Sequence, residues 1–113
     1  MNVEYLSEGV CFVVVSKEPE LRQELEKLNE TVGHRGDYDV VLDFTRVEIV
    51  TSSSMSNLLI LQDFLRQHGH KLVLCGVSLP TRGALNVAGL DRVFQFADDK
   101  FDGLACLQTA HNP

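Results

Sequence analysis

The stretch from Val40 to Leu65, VVLDFTRVEIVTSSSMSNLLILQDFL, constrains the fold more than any other part of the chain. It opens on the apolar run Val40-Val41-Leu42, which ends at Asp43, crosses a connection from Phe44 to Val50, and reaches Thr51-Ser52-Ser53-Ser54. A short apolar run with a polar stop reads as a buried strand, and hydroxyls just ahead of a helical period read as a helix start. The stretch therefore predicts a strand over Asp39 to Asp43, a loop, and a helix from about Ser52 to Gln67. At about 100° per residue, Met55, Leu58, Leu59, Leu61 and Leu65 form its core face. Ile60 and Phe64 share the outer face with Ser53, Ser56, Asn57 and Gln67.

The flanking segments fit around this unit. Val3 to Leu6 and Val10 to Ser16 read as two strands about a turn at Ser7-Glu8-Gly9, and VCFVVVS suggests a strand buried on both faces. Pro19 opens a helix whose residues Leu21, Leu25, Leu28 and Val32 make one apolar stripe, with Glu18, Glu20 and Glu24 at its dipole-favoured start. Gly33 and Gly36 end that helix and bracket a connection with His34 and Arg35. His68-Gly69-His70 breaks the serine helix, and Lys71 to Gly76 is another buried strand. Ser78-Leu79-Pro80 starts a short helix carrying Leu85 and Val87, stopped by Gly89. Arg92 to Phe96 is a last strand, and Asp98 to Gln108 a terminal helix with Phe101, Leu104, Ala105 and Leu107 available for packing. The polar tail from Thr109 to Pro113 is expected to fray.

Strands alternating with helices imply crossovers onto a parallel sheet, and the opening hairpin implies one antiparallel edge. The expected fold is α/β: a mixed, mostly parallel sheet of about five strands covered by about four helices. With 113 residues, it is read as a single domain over 1–113.

Composition excludes several classes of function. The net charge is −6 with no Lys/Arg cluster, which removes the basic footprint that nucleic acid or an anionic membrane surface requires. No apolar run approaches the ~20 residues of a membrane span, and the acidic N-terminal stretch lacks the basic region of a secretory signal, so the expected location is cytoplasmic. Cys11, Cys75 and Cys106 are scattered, and the first two sit inside apolar runs, as small hydrophobes do. His68 and His70 are two apart with no third ligand nearby, which favours solvated helix-end residues over a metal site. Asp43 ends a strand, as a receiver phosphoacceptor would, but VCFVVVSKE supplies no acidic pair to hold a metal. There is no G-x-S-x-G elbow, no glycine-rich phosphate loop and no catalytic constellation. No enzyme activity, cofactor or metal is expected.

The hydroxyls themselves admit two readings. One is an N-cap with spares, since Ser and Thr accept from orphan backbone N–H groups. The other is a phosphorylation site, because a phosphate there faces free N–H groups and the positive end of the dipole.

The run LDFTRVEIVTSSSMSNLLIL, then an apolar strand and AGLDRVFQF, resembles the STAS domain, shared by sulphate-transporter tails and anti-sigma factor antagonists. Residues 38 to 107 follow its layout in order and spacing, and the first 37 follow it more loosely. The resemblance implies a regulatory module that binds a protein partner, such as an anti-sigma kinase, and is switched off by serine phosphorylation. It places Ser52 at the phosphorylated serine, and it places Thr51 where soluble antagonists usually carry an acid, which is a departure. Ser54 and Ser56 fall where glycines often allow close approach, and Gly89-Leu90 fits a later Gly-Leu pair. The implied docking residues are Thr51, Ser52, Ser53, Ser56, Asn57, Ile60 and Phe64. The alternative is an unphosphorylated subunit or scaffold of a lipid-transport ABC complex or a stress-sensing assembly, and which hydroxyl is modified stays open.

Overall fold

The side chains of strand residues point alternately to opposite faces of a sheet, and here that alternation sorts the core into two layers. The computed structural model describes residues 1–7, 9–33 and 35–110. Within them the order is β1 (Asn2–Ser7), β2 (Val10–Val14), α1 (Glu20–Leu28), β3 (Asp39–Asp43), α2 (Ser52–Gln67), β4 (Leu72–Cys75), α3 (Leu79–Val87), β5 (Gln95–Ala97) and α4 (Lys100–Ala110). One sheet carries the strands in the order β1-β2-β3-β4-β5. β1 is antiparallel to β2, and β2 through β5 run parallel. The mixed sheet with its antiparallel hairpin edge is the architecture expected from the sequence.

Cys11, Val13, Val40, Leu42, Leu72 and Leu74 face one layer, where they meet Leu21 and Leu25 of α1, Leu58, Leu61 and Leu65 of α2, and Leu85 of α3. Phe12, Val41, Val73 and Cys75 face the other, against Leu107 of α4. The three leucines of α2 are fully buried, and at about 2 kcal/mol each they hold that helix firmly on the sheet. Burial pushes the Cys11 thiol up to about 11. It is also the main cause of the rise of Cys75 to about 11, with the nearby Asp43 and Asp99 carboxylates adding to it. Both are core fillers, as their apolar neighbours suggested.

Because β2, β3 and β4 are parallel, the connections that follow them all emerge at one end of the sheet. Residues 15–19, 44–51 and 76–78 therefore lie at a single edge. Gly76 shows how closely they approach. Its φ is +66°, and a Cβ there would strike the Thr45 methyl.

Several expectations shift. Pro19 occupies the N-cap of α1 rather than its first helical position. The last turn widens into a π-helical turn, Asn29–Gly33, in which Asn29 and Val32 are buried. β5 starts at Gln95 rather than Arg92, and α4 at Lys100 rather than Asp98, where Asp99 Oδ1 instead accepts from the Asp102 N–H at 2.9 Å. Phe101 is 78% exposed and Ala105 is exposed, contrary to their expected packing. The reason is rotational: Gly103 faces the sheet so closely that a Cβ would lie 2.9 Å from Val41, and Phe101, two residues away at about 100° each, points outward. Val87 is 92% exposed while Leu85 is fully buried, so α3 buries one side only. His70 is not a solvated helix-end residue: its Nδ1 lies 3.0 Å from Oδ1 of the buried Asp39. Glu8 of the expected turn, His34 of the expected connection and the tail at 111–113 lie outside the described residues.

Candidate partner-docking site

α2 begins where the sequence places it. Thr51 is the N-cap, with extended backbone (φ −86°, ψ 165°), and its side chain accepts from the Ser54 N–H at 3.2 Å. This satisfies one of the donors that a helix start leaves without an intrahelical partner. The Thr51 N–H donates to Glu18 Oε2 at 2.9 Å, and its hydroxyl donates to the same oxygen at 3.0 Å. Thr51 Oγ1 and Ser54 Oγ are 3.3 Å apart. With the Thr51 proton committed to Glu18, the Ser54 hydroxyl is the donor of that pair.

The four hydroxyls thus divide. Thr51 is engaged on three sides, and Ser54 is fully buried. Ser54 therefore does not lie at an approachable surface, a correction to the reading that set it beside Ser56 as a small residue open to a partner. It fills the core stripe with Leu58, Leu61 and Leu65, which rotates the buried face toward Ser54 and leaves Met55 and Leu59 partly covered. Ser52 and Ser53 are exposed, and neither hydroxyl bonds to another described residue.

The remaining docking candidates are less uniform. Ser56 is exposed, and Ile60 is exposed at 45%. Phe64 is half-buried, so the expected exposed Ile-Phe pair is reduced to Ile60. Asn57 is half-buried and works as a strut: its amide donates to the Ser53 carbonyl at 3.1 Å, and its own carbonyl accepts from Asn29 Nδ2 at 3.1 Å. That bond joins the π-helical turn to the start of α2.

Sequence reasoning missed two neighbours. Glu18 is one; its pairing with a residue 33 positions away leaves no local signal. The other is Ile49, 55% exposed two residues before the N-cap. The adjoining α3 is tied to the same loop, since the Ser78 and Thr81 hydroxyls donate to the Glu48 carbonyl at 2.7 and 3.1 Å. Leu79, at its first position, is 86% exposed. Gly89, at φ +76°, turns the chain out of α3 so that the Leu90 N–H reaches the Leu85 carbonyl at 2.8 Å, which gives the Gly-Leu pair its structural role.

A cleft of about 270 Å³ lined by Gln62, Arg66, His70 and Lys71 lies at the opposite end of the sheet, and a second of about 210 Å³, lined by Gly76, Val77, Arg82 and Phe96, lies at this end but does not include Thr51 to Ser56. Among the described residues, no group of three or more His, Cys, Asp or Glu side chains could hold a metal ion. No described helix is long and apolar enough to cross a membrane.

A parallel sheet with an antiparallel edge, a hydroxyl-rich start to the helix after the third strand, and a Gly-Leu turn before the last strand together define a class. The STAS domain profile matches residues 2–102, and the chain belongs to that family. Among solved structures, a variant form of RsbS from Moorella thermoacetica superposes with a TM-score of 0.80 at 20% identity, covering 96% of this chain and 95% of that one. A component of the stressosome, described as a signal integration and transduction hub, gives 0.78 at 20% identity over 99% and 100%. The anti-sigma factor antagonist SpoIIAA in its unphosphorylated form gives 0.77 at 13% identity over 98% of each chain. These likenesses establish the fold. Among curated proteins, none matches the chain significantly.

Proposed function

We propose that this chain is a non-enzymatic regulatory module of the anti-sigma factor antagonist kind. It docks a protein partner, such as an anti-sigma kinase, through the start of α2, and phosphorylation of Ser52 switches that docking off. The observation that carries the reading is the division of the hydroxyls. Ser52 is exposed and unengaged at the first position of a helix whose cap and core contacts hold it rigidly. A phosphate there would add a charge of about −1.5 to −2 and three acceptor oxygens to a helix start whose own residues are uncharged from Thr51 through Ser56, with the Glu18 carboxylate already at its cap. A partner seated on the unmodified helix start would then meet repulsion and an uncompensated desolvation. Likeness to SpoIIAA, whose unphosphorylated form is distinguished by name, supports the same reading.

Ser52→Asp is expected to weaken capture of the partner from lysate of the native host, and Ser52→Ala to retain it, with bound proteins identified by mass spectrometry. Equal capture by both variants would sink the switch.

A second reading, an unphosphorylated subunit of a larger assembly, is favoured by exposed Ile60 and by the likeness to a stressosome component. Intact mass of the protein from its native host separates the two: an added phosphate supports the switch, and persistently unmodified protein supports the subunit.

A further inference from the structure

The start of α2 is completed from outside the helix. In a capping box, an acidic side chain at the third helical position reaches back to the N–H of the cap residue. Here that position is Ser54, which is buried and too short to reach back. Glu18, from the connection between β2 and α1, takes the reciprocal role, accepting both the N–H and the hydroxyl of Thr51 on one oxygen. The same connection is fixed at its other end, where the Ser16 N–H and hydroxyl donate to the Glu24 carboxylate at 2.7 and 2.8 Å. The connection is thus strung between two carboxylate clamps, and one of them closes on the residue adjacent to Ser52.

We infer that Glu18 is a positioning residue of the switch, completing the cap of α2 in the unmodified chain and being expelled when Ser52 carries phosphate. Two consequences follow from the geometry. While the clamp is closed, the Thr51 hydroxyl is occupied, so Glu18 helps to single out Ser52 from its neighbour. Once phosphate is present, a dianionic group competes for the N–H groups of the helix start and opposes a second anion one residue away. The Glu18 carboxylate leaves, and the connection from Ser16 to Pro19 loses its tie to α2. Modification then alters two adjoining segments of the edge rather than one. The inference rests on Ser52 being the modified residue, yet its physical content is testable without partner or kinase.

The test is a stability cycle on the whole chain, with phosphoserine installed at position 52 during synthesis. Urea midpoints are measured for unmodified and phosphoserine-52 protein, each with and without Glu18→Ala. Glu18→Ala is expected to lower the midpoint of the unmodified protein, and to leave unchanged or raise that of the phosphorylated one. Equal lowering in both backgrounds, or none in the unmodified protein, overturns the inference. Should Glu18→Ala fail to fold, Glu18→Gln, which keeps the shape and removes the charge, is read the same way. Failure of Ser52→Asp to weaken capture would not change this cycle, and failure of the cycle would leave the docking reading standing.

Discussion

Thr51→Asp restores the acid that the family resemblance places before the serine, and by local rules it should be harmless. Asp is at least as good an N-cap as Thr, so the helix alone gains a few tenths of a kcal/mol at most. The surroundings reverse that expectation. The Thr51 hydroxyl lies 3.0 Å from Glu18 Oε2, and its N–H lies 2.9 Å from the same oxygen. A carboxylate in place of the hydroxyl loses the donated bond and sets two negative charges roughly 4 Å apart. At that separation the repulsion is about 1 kcal/mol in water and about 4 at an effective dielectric of 20. Glu18 is only partly buried and is free to swing away, so the lower end applies, with the lost bond adding about 1 kcal/mol. The net expectation at pH 7 is a loss of about 1 to 2 kcal/mol, or a melting temperature lower by roughly 4 to 8 °C. Equilibrium urea unfolding measures it directly. Adding Glu18→Gln to Thr51→Asp should recover most of the loss, because the repulsion goes with the charge. A Thr51→Asp protein as stable as the parent, with no response to Glu18→Gln, would refute the closed clamp.

Further expectations follow from packing and charge. Gly103→Ala puts a methyl 2.9 Å from the fully buried Val41 side chain, so urea unfolding should register a loss of about 1 to 3 kcal/mol despite Ala's better helix propensity. Gly83→Ala, also within a helix but with nothing within 4 Å of the new atom, should instead gain up to about 1 kcal/mol. Burial alone would raise the Glu24 carboxyl, but hydrogen bonds from the Ser16 N–H and hydroxyl, with the Met1 amino group at 2.9 Å, outweigh it and lower the pKa below the usual 4.5. A carboxyl lowered in the folded state contributes stability that is present above its unfolded pKa and lost as pH falls through the folded one. Glu24→Gln should therefore lower stability at pH 7 and flatten the fall on acidification below about pH 4.5, read from urea midpoints across that range.

Local periodicity carried most of the fold. The continuous apolar runs of β2, β3 and β4 survive as strands buried on both faces, and the spacing of Leu21, Leu25 and Leu28 survives as one helical stripe. Where the reading failed, a long-range contact outweighed the pattern. Phe101 looked like core, but Gly103, by admitting Val41 so closely, fixed the rotation of α4 and turned Phe101 outward. His70 looked solvated, but its ring meets buried Asp39 from 31 positions away. In α2 the predicted face was off by part of a turn, because a serine, Ser54, took a place in the core that hydrophobicity alone gave to Met55. Its hydroxyl is tolerated there because Thr51 lies within hydrogen-bond distance.

Position 51 takes its meaning from these contacts. Judged one residue at a time, threonine in place of an acid reads as an erosion of the site. In three dimensions a carboxylate does stand at the helix start, carried by Glu18 and held there by the Thr51 hydroxyl. An acid at 51 could cap α2, but it could not donate to Glu18, and it would give Ser54 an anion where it now has a neutral partner. Threonine does three jobs with one side chain: it caps Ser54, donates to Glu18, and keeps the buried hydroxyl beneath it satisfied. Threonine at position 51 and the placement of Glu18 are therefore one structural solution, and neither is interpretable without the other.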